Sequence, residues 1–189
     1  AGISRSHTAT MRLFTSGSAP LLPQTFSAFQ EATGHTIVER YGMTETGMNT
    51  SNPIAGPRKA GTVGLPLEGV LYRIVDDEGS PVGTMTPGNL QLKGPNILKG
   101  YWRKPEQTAA SFSEDGYFDT GDIAETDEEG YVKIVGREKD LIISGGLNVY
   151  PIEVETVINR YQGVVESAVI VVPHADFGEA VIAVIVSSD

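Results

Sequence analysis

The sequence predicts an α/β protein with a small antiparallel β subdomain, followed by the beginning of a second, α+β domain. Three observations carry this: strand–helix–strand spacing near the N-terminus, period-two alternation from Gly61 to Val135, and a fresh pattern beyond the charged segment Gly136-Arg137-Glu138-Lys139-Asp140. Met11–Thr15 reads as a short apolar strand ending in the turn Ser16-Gly17-Ser18-Ala19-Pro20. Pro23 opens an amphipathic stretch to Thr33, stopped by Gly34, and Thr36–Arg40 is a second strand. That order favours a parallel crossover, and such sheets bind ligands beyond the carboxyl ends of their strands. The loops Ser16–Leu21 and Tyr41–Thr46 should therefore lie side by side.

In the middle of the chain, Val70–Val75, Asn89–Lys93 and Tyr131–Val135 alternate as strands, with turn signals at Asp77-Glu78-Gly79 and Glu128-Glu129-Gly130. One helix, from Pro105 to about Phe112, is inserted among them. After the charged segment come a strand (Leu141–Ile143), a Gly145-Gly146 turn, and a helix opened by Pro151. Its apolar stripe is Val154, Val157, Ile158 and Tyr161, and the β-rich runs Glu166–Val172 and Ala180–Val186 follow. A helix and two strands with nothing on the sheet's other face make an incomplete core, so this part is expected to be truncated.

Composition narrows the function classes. The 189 residues carry a formal charge of −10, which disfavours nucleic-acid binding and adhesion to an anionic membrane. Hydrophobic residues at 40% fit a soluble globular protein. The absence of cysteine rules out disulfides, thiolate metal sites and thiol nucleophiles in this chain, in keeping with a reducing compartment. The longest apolar run, Ala180–Val186, is far short of the roughly 20 residues of a membrane span. Glycine, at 22 residues against roughly 13 from average usage, implies tight turns or backbone held close to a ligand.

Two loops offer chemistry. In Tyr41-Gly42-Met43-Thr44-Glu45-Thr46, Thr44 is suited to a phosphate oxygen and Glu45 to a hard cation such as Mg²⁺. From the hexapeptide alone, a helix cap or a solvated turn is the reading to prefer, since such clusters are frequent in turns. Asp122, after a Thr-Gly turn, suits the vicinal hydroxyls of a ribose, and Arg137 suits phosphate or ribose oxygens. An ordinary turn carboxylate and a solvated edge arginine are the plain alternatives. The Ser16–Pro20 loop lacks the lysine of a P-loop, and GxGxxG, HExxH and GxSxG are all absent. His7, His35 and His174 are scattered and read as surface or structural residues. The Asn49-Thr50-Ser51 sequon reads as chance.

Taken in order, SGSAPL (16–21), ERYGMTET (39–46), GTVGLPLEGV (61–70), LKGPNILKGYW (92–102), DGYFDTGD (115–122) and GREKDLIISGGLNVYPIEVE (136–155) resemble one family. It comprises the acyl- and aryl-CoA synthetases, the luciferases and the peptide-synthetase adenylation domains. Six segments in family order cover nearly the whole chain. YGMTETGMNTSNP with VPHADFGEAV is most similar to the malonyl-CoA synthetases within it.

The resemblance implies that residues 1–138 are the C-terminal portion of a large AMP-binding, adenylate-forming domain. Residues 139–189 would be the hinge and beginning of the small C-terminal domain. It implies a ligase using ATP, Mg²⁺ and CoA, in which a carboxylate attacks the α-phosphate and CoA then displaces AMP. Thr44 would contact the α-phosphate and Glu45 the metal. Ser18, Ala19 and Pro20, with Arg40, Tyr41 and Gly42, would line the adenine and acyl pocket. Asp122 would hold the ribose, Arg137 the ribose or phosphate, and Lys139 would be the hinge. Gly145 and Gly146 would lie along the pantetheine arm of CoA.

The family's Pro-Lys-Gly phosphate loop would lie upstream and its adenylating lysine downstream, together with much of the acyl pocket and any cation for malonate's second carboxylate. Residues 1–189 alone are therefore expected to form no acyl-CoA. A fatty-acid or aryl-acid ligase, and an AMP-binding fragment without activity, are the alternatives. A cytoplasmic setting in fatty acid metabolism is expected, without nucleic acid or a membrane span as partner. Homo-oligomerisation is left open.

Overall fold

The structure, a computed structural model, describes residues 2–188. The chain divides into two compact units: everything up to Thr120 together with Ala124–Ile134, and Gly121–Ile123 together with the chain from Val135 onward.

The first unit begins with a single helical turn, α1 (Arg5–Thr8), then β1 (Phe14–Ser16), α2 (Pro23–Thr33), β2 (Ile37–Met43), β3 (Gly47–Ser51) and β4 (Leu65–Pro66). These four strands form one sheet in the order β1-β2-β3-β4. β1 and β2 run parallel, with Thr15 opposite Val38, which is the predicted crossover. Helix α2 occupies the predicted span, with Pro23 in its first turn and Gly34 ending it at φ 77°. That conformation suits glycine, and the Gly34 N–H reaches back to the Gln30 carbonyl at 2.8 Å.

Both β1 and β2 are displaced from their expected spans. β1 starts at Phe14 because that ring packs edge-on against Phe29 of α2, 4.9 Å between centroids, while Met11 and Leu13 stay exposed. β2 runs three residues past Arg40 because it turns directly into β3, a strand absent from the sequence reading.

The antiparallel subdomain comprises β5 (Leu71–Val75), β6 (Gly88–Lys93), β7 (Phe118–Thr126) and β8 (Val132–Arg137), in that sheet order. The short helix α3 (Pro105–Ala110) lies between β6 and β7. Its core is Val70, Ile74, Leu90, Leu92, Ala124 and Val132. Each large aliphatic side chain buried there contributes about 1.5–3 kcal/mol. The turns close as predicted: Asp76 Oδ1 accepts from the Glu78 and Ser80 N–H groups, and Asp127 Oδ1 from those of Glu129 and Tyr131. The turn expected before Asp122 is instead strand interior. Gly121, at φ 67°, interrupts the alternation there, so Asp122, Ile123 and Ala124 are all buried in succession.

In the second unit a 3₁₀ turn (Glu138–Asp140) precedes β9 (Ile142–Ser144), β10 (Leu147–Val149), α4 (Pro151–Ile158), β11 (Val164–His174) and β12 (Gly178–Ser187). The sheet order is β10-β9-β12-β11, all antiparallel. Glu155 of α4 accepts the Val169 N–H of β11 at 2.8 Å. Ile170, Val171, Val184, Ile185 and Val186 remain 45–52% exposed on the long hairpin. No helix among the described residues is long and apolar enough to cross a membrane.

One buried carboxyl sits in the strand that serves the site. Glu39 is 5% exposed and accepts the Gly61 N–H at 3.2 Å. Its own carbonyl accepts from the backbone and side-chain nitrogens of Asn52. Burial pushes this carboxyl up to about 7, against the smaller opposing pull of the Gly61 N–H. A carboxyl whose folded pKa is raised contributes stability in full below its unfolded value of 4.5, and that contribution is lost as pH rises to about 7. Urea unfolding at pH 4.5 and pH 8 should show wild type losing about 3 kcal/mol relative to Glu39→Gln across that window. A pH-independent gap between the two proteins would show that Glu39 titrates normally.

Candidate functional site

Parallel pairing of β1 and β2 brings their carboxyl ends together, and a recess of about 320 Å³ opens there. β1 and the turn after it supply Thr15, Ser16, Gly17 and Ser18; β2 supplies Arg40 and Gly42; β3 supplies Met48. Of the predicted pocket residues, Ser18, Arg40 and Gly42 line this recess, whereas Ala19, Pro20 and Tyr41 do not. The Tyr41 ring is turned the other way and packs against the core of the antiparallel subdomain, as strand alternation requires of a residue between Arg40 and Gly42. Thr15, Ser16, Gly17 and Met48 were not singled out. Met48 became visible only with β3, whereas Ser16 and Gly17 stood in the flagged loop.

Local geometry explains the shape of the recess. Ser18 has φ 70°, a left-handed conformation that costs a non-glycine residue about 1 kcal/mol. Gly17 lies against Arg40: a Cβ there would stand 3.1 Å from the Arg40 carbonyl oxygen and 3.4 Å from its Cγ. Arg40 forms no ion pair among the described residues.

The segment read as a loop from Tyr41 to Thr46 is the end of β2 plus a tight turn. The register shifts between Tyr41 and Gly42, and the Thr46 N–H closes the turn on the Met43 carbonyl at 3.2 Å. Thr44 is exposed at its tip, Glu45 is half-buried, and Thr46 is fully buried. The Glu45 carbonyl accepts the Leu98 N–H at 2.8 Å, and its Oε1 accepts the Tyr101 hydroxyl at 3.4 Å. Burial first, then the Glu45 charge, pushes the Tyr101 hydroxyl above the ordinary phenol range, so it remains a donor at neutral pH. Asn49 is fully buried with its Nδ2 on Thr46 Oγ1 at 2.7 Å, so the sequon is structural.

Within the second unit, Asp122 is almost wholly buried and pairs with the Arg137 Nε at 3.2 Å, while the Arg137 side chain is 56% exposed. Lys139 is exposed in the 3₁₀ turn. Gly145 and Gly146, at φ 58° and 83°, form the two-residue turn of the β9–β10 hairpin. Two positive φ values are what that hairpin turn demands, so the turn accounts for both glycines without any ligand.

The hairpin that shapes the recess depends on Gly42. A Cβ at Gly42 would stand 2.2 Å from the Gly47 carbonyl oxygen and 3.1 Å from the Met48 Cα, both backbone atoms that cannot swing aside. At Gly47, φ is 60° but nothing lies within 4 Å. Gly42→Ala should therefore cost about 3 kcal/mol or more, and Gly47→Ala about 1 kcal/mol. Denaturant midpoints of the two variants give the comparison, and equal losses would contradict the close approach.

A profile of AMP-binding enzymes matches residues 3–102. The chain is 43% identical to a malonate–CoA ligase from Arabidopsis thaliana, over 94% of the chain and 29% of that protein. It is 40% identical to a long-chain-fatty-acid–CoA ligase from Yersinia pestis, over 96% of the chain and 32% of that protein. Among solved structures, ATP-bound MatB from Rhodopseudomonas palustris superposes with a TM-score of 0.96 at 55% identity, covering 98% of this chain and 37% of MatB. The chain thus spans about a third of the length of the relatives it matches. On its sequence match and on the superposition of its mixed α/β fold, this chain belongs to the AMP-binding enzyme family.

Proposed function

We propose that the protein containing this chain is an ATP-dependent acid–CoA ligase whose acid is malonate. The observation that carries this reading is Arg40, a fixed cation lining the recess with no carboxylate partner among the described residues. A guanidinium binds a carboxylate through two parallel hydrogen bonds, so it suits the second carboxylate of a dicarboxylic acid. An alkyl chain in its place would offer the guanidinium no such hydrogen bonds. From the sequence such a cation is expected upstream of this chain, and in this reading Arg40 supplies one within it. The named relatives, a malonate–CoA ligase and an ATP-bound homologue, support the same reading.

In the proposed reaction one carboxylate oxygen attacks the α-phosphorus, the bond to the β-phosphate oxygen breaks, and pyrophosphate leaves. The thiol sulfur of CoA then attacks the acyl carbon, the bond to AMP oxygen breaks, and the thiol proton passes to solvent. The first step brings an anion onto an anion and the second needs the thiol aligned on the acyl carbon, so the residues act by neutralisation and positioning. Thr44 donates its hydroxyl to an α-phosphate oxygen. The backbone of Ser18 and Gly42, which line the recess, borders the adenine and acyl groups. Asp122 takes the ribose hydroxyls with Arg137 beside it, Lys139 is the pivot between half-reactions, and Gly145–Gly146 faces the pantetheine arm.

Magnesium belongs to this reading through Glu45. No group of three or more His, Cys, Asp or Glu gathers as a metal cage among the described residues. One half-buried carboxylate beside an exposed threonine fits a cation that takes its other ligands from phosphate and water. When bound, magnesium lowers the negative charge that the attacking carboxylate meets.

An acid panel on the intact enzyme, read by pyrophosphate release, tests the substrate. Malonate should outrun palmitate and benzoate, and either of those leading would overturn the assignment. Arg40→Met should lower kcat/KM for malonate about 100-fold, roughly 3 kcal/mol, while sparing short monocarboxylic acids. Asp122→Ala should raise the KM for ATP about tenfold, the loss of a charge-assisted hydrogen bond, with the KM for malonate unchanged.

A further inference from the structure

The turn that carries Thr44 and Glu45 is held by more than its own bond from the Thr46 N–H to the Met43 carbonyl. It is gripped by the segment that leaves β6, through three separate donors to consecutive residues. The Leu98 N–H donates to the Glu45 carbonyl at 2.8 Å, and Asn96 Nδ2 donates to the Thr46 carbonyl at 2.6 Å. Asn96 Nδ2 also reaches Asn49 Oδ1 at 3.1 Å, and Asn49 in turn holds the Thr46 hydroxyl. The third donor, the Tyr101 hydroxyl, touches the Glu45 side chain itself, at Oε1. Oε2 accepts from no side chain among the described residues.

Tyr101 has firm support. Its own N–H donates to Thr108 Oγ1 of α3 at 2.9 Å, and Thr108 Oγ1 donates to the Lys104 carbonyl at 2.8 Å. Gly100 packs so closely on this threonine that a Cβ there would stand 2.8 Å from Thr108 Cγ2. The Tyr101 backbone is therefore anchored to a helix, while the glutamate that its hydroxyl touches has three side-chain torsions to fix. An unanchored glutamate loses up to about 2 kcal/mol of rotamer entropy when a ligand fixes it. A hydroxyl that fixes one oxygen beforehand reduces that loss and leaves the other oxygen open.

We propose that Tyr101 is a positioning residue for the Glu45 carboxylate, presenting it to the metal–triphosphate group of the nucleotide. This rests on the nucleotide reading of Glu45 given above, and the test separates the two. The intact ligase, Tyr101→Phe, Glu45→Gln and the double variant are titrated with α,β-methylene-ATP by calorimetry, with Mg²⁺ and with EDTA. Thermal midpoints are recorded alongside.

With Mg²⁺, Tyr101→Phe should bind about three- to tenfold more weakly, the loss of one hydrogen bond to a charged acceptor. In EDTA it should match wild type, and its midpoint should be unchanged. The double variant should bind no more weakly than Glu45→Gln alone, because the hydroxyl acts only through that carboxylate. Wild-type binding by Tyr101→Phe beside weakened binding by Glu45→Gln would overturn the positioning role and leave Glu45 its nucleotide role. Additive losses in the double variant would also overturn it, since they mean the ring acts by packing. Wild-type binding by Glu45→Gln would remove the nucleotide reading of Glu45, and this proposal with it.

Discussion

The close approach of Gly42 to the backbone of Gly47 and Met48 is the constraint on which the site depends. β1 and β2 must run parallel to bring two strand ends together, and β2 must then reverse at once to place Met48 beside Arg40. A side chain at position 42 would hold β3 away and open the recess on that side. The hairpin thus converts a generic feature of parallel sheets, a crevice at their carboxyl ends, into a recess with a defined wall. Sequence enters this geometry as the absence of one Cβ.

Charge acts on that shape at short range. The chain carries a formal charge of −10, yet its proposed substrates are all anions. At physiological ionic strength exposed charges are screened beyond about 8 Å, so the overall excess of carboxylates matters less than the groups facing the recess. Arg40 is such a group, and the Glu39 next to it in sequence is buried and largely protonated below neutral pH. Along one strand, successive residues therefore place a cation toward the recess and a mostly neutral acid in the interior. Alternation of side chains in an extended strand makes that separation possible.

How much of this could be read from the letters varied with the range of the interaction responsible. Helix α2 was legible to the residue because its limits are local: proline fixes the first turn and Gly34 supplies the left-handed stop. The Asp76 and Asp127 turns were legible for the same reason, since an aspartate bonding to amides two and four residues on is a local event. β3 was not, because Gly47-Met48-Asn49-Thr50-Ser51 has weak strand composition and is held by pairing with β2. Missing β3 hid Met48 and made the end of β2 look like a loop. Tyr41 was assigned to the pocket as part of that loop, and as a strand residue it faces the core. Within the candidate site, then, residue types were readable where a motif named them, but side-chain direction was not.

The second unit shows the converse, where residues marked by a motif have sufficient local reasons to exist. Gly145 and Gly146 are demanded by a two-residue hairpin turn, and the Asp122 carboxylate, buried in its strand, has Arg137 to compensate it. Such residues can serve a ligand only by adding a second role to the first. For the glycines the addition is easy, since a turn without side chains already admits close approach. For Asp122 it is harder, because in the proposed reading a ribose would share the carboxylate with the guanidinium. Arg137 is more than half exposed and Asp122 is not, so the arginine is the partner free to swing aside. In the proposed reading the pair orders the roles: the buried carboxylate stays fixed in its strand, and the exposed guanidinium is the one that would yield to a ribose.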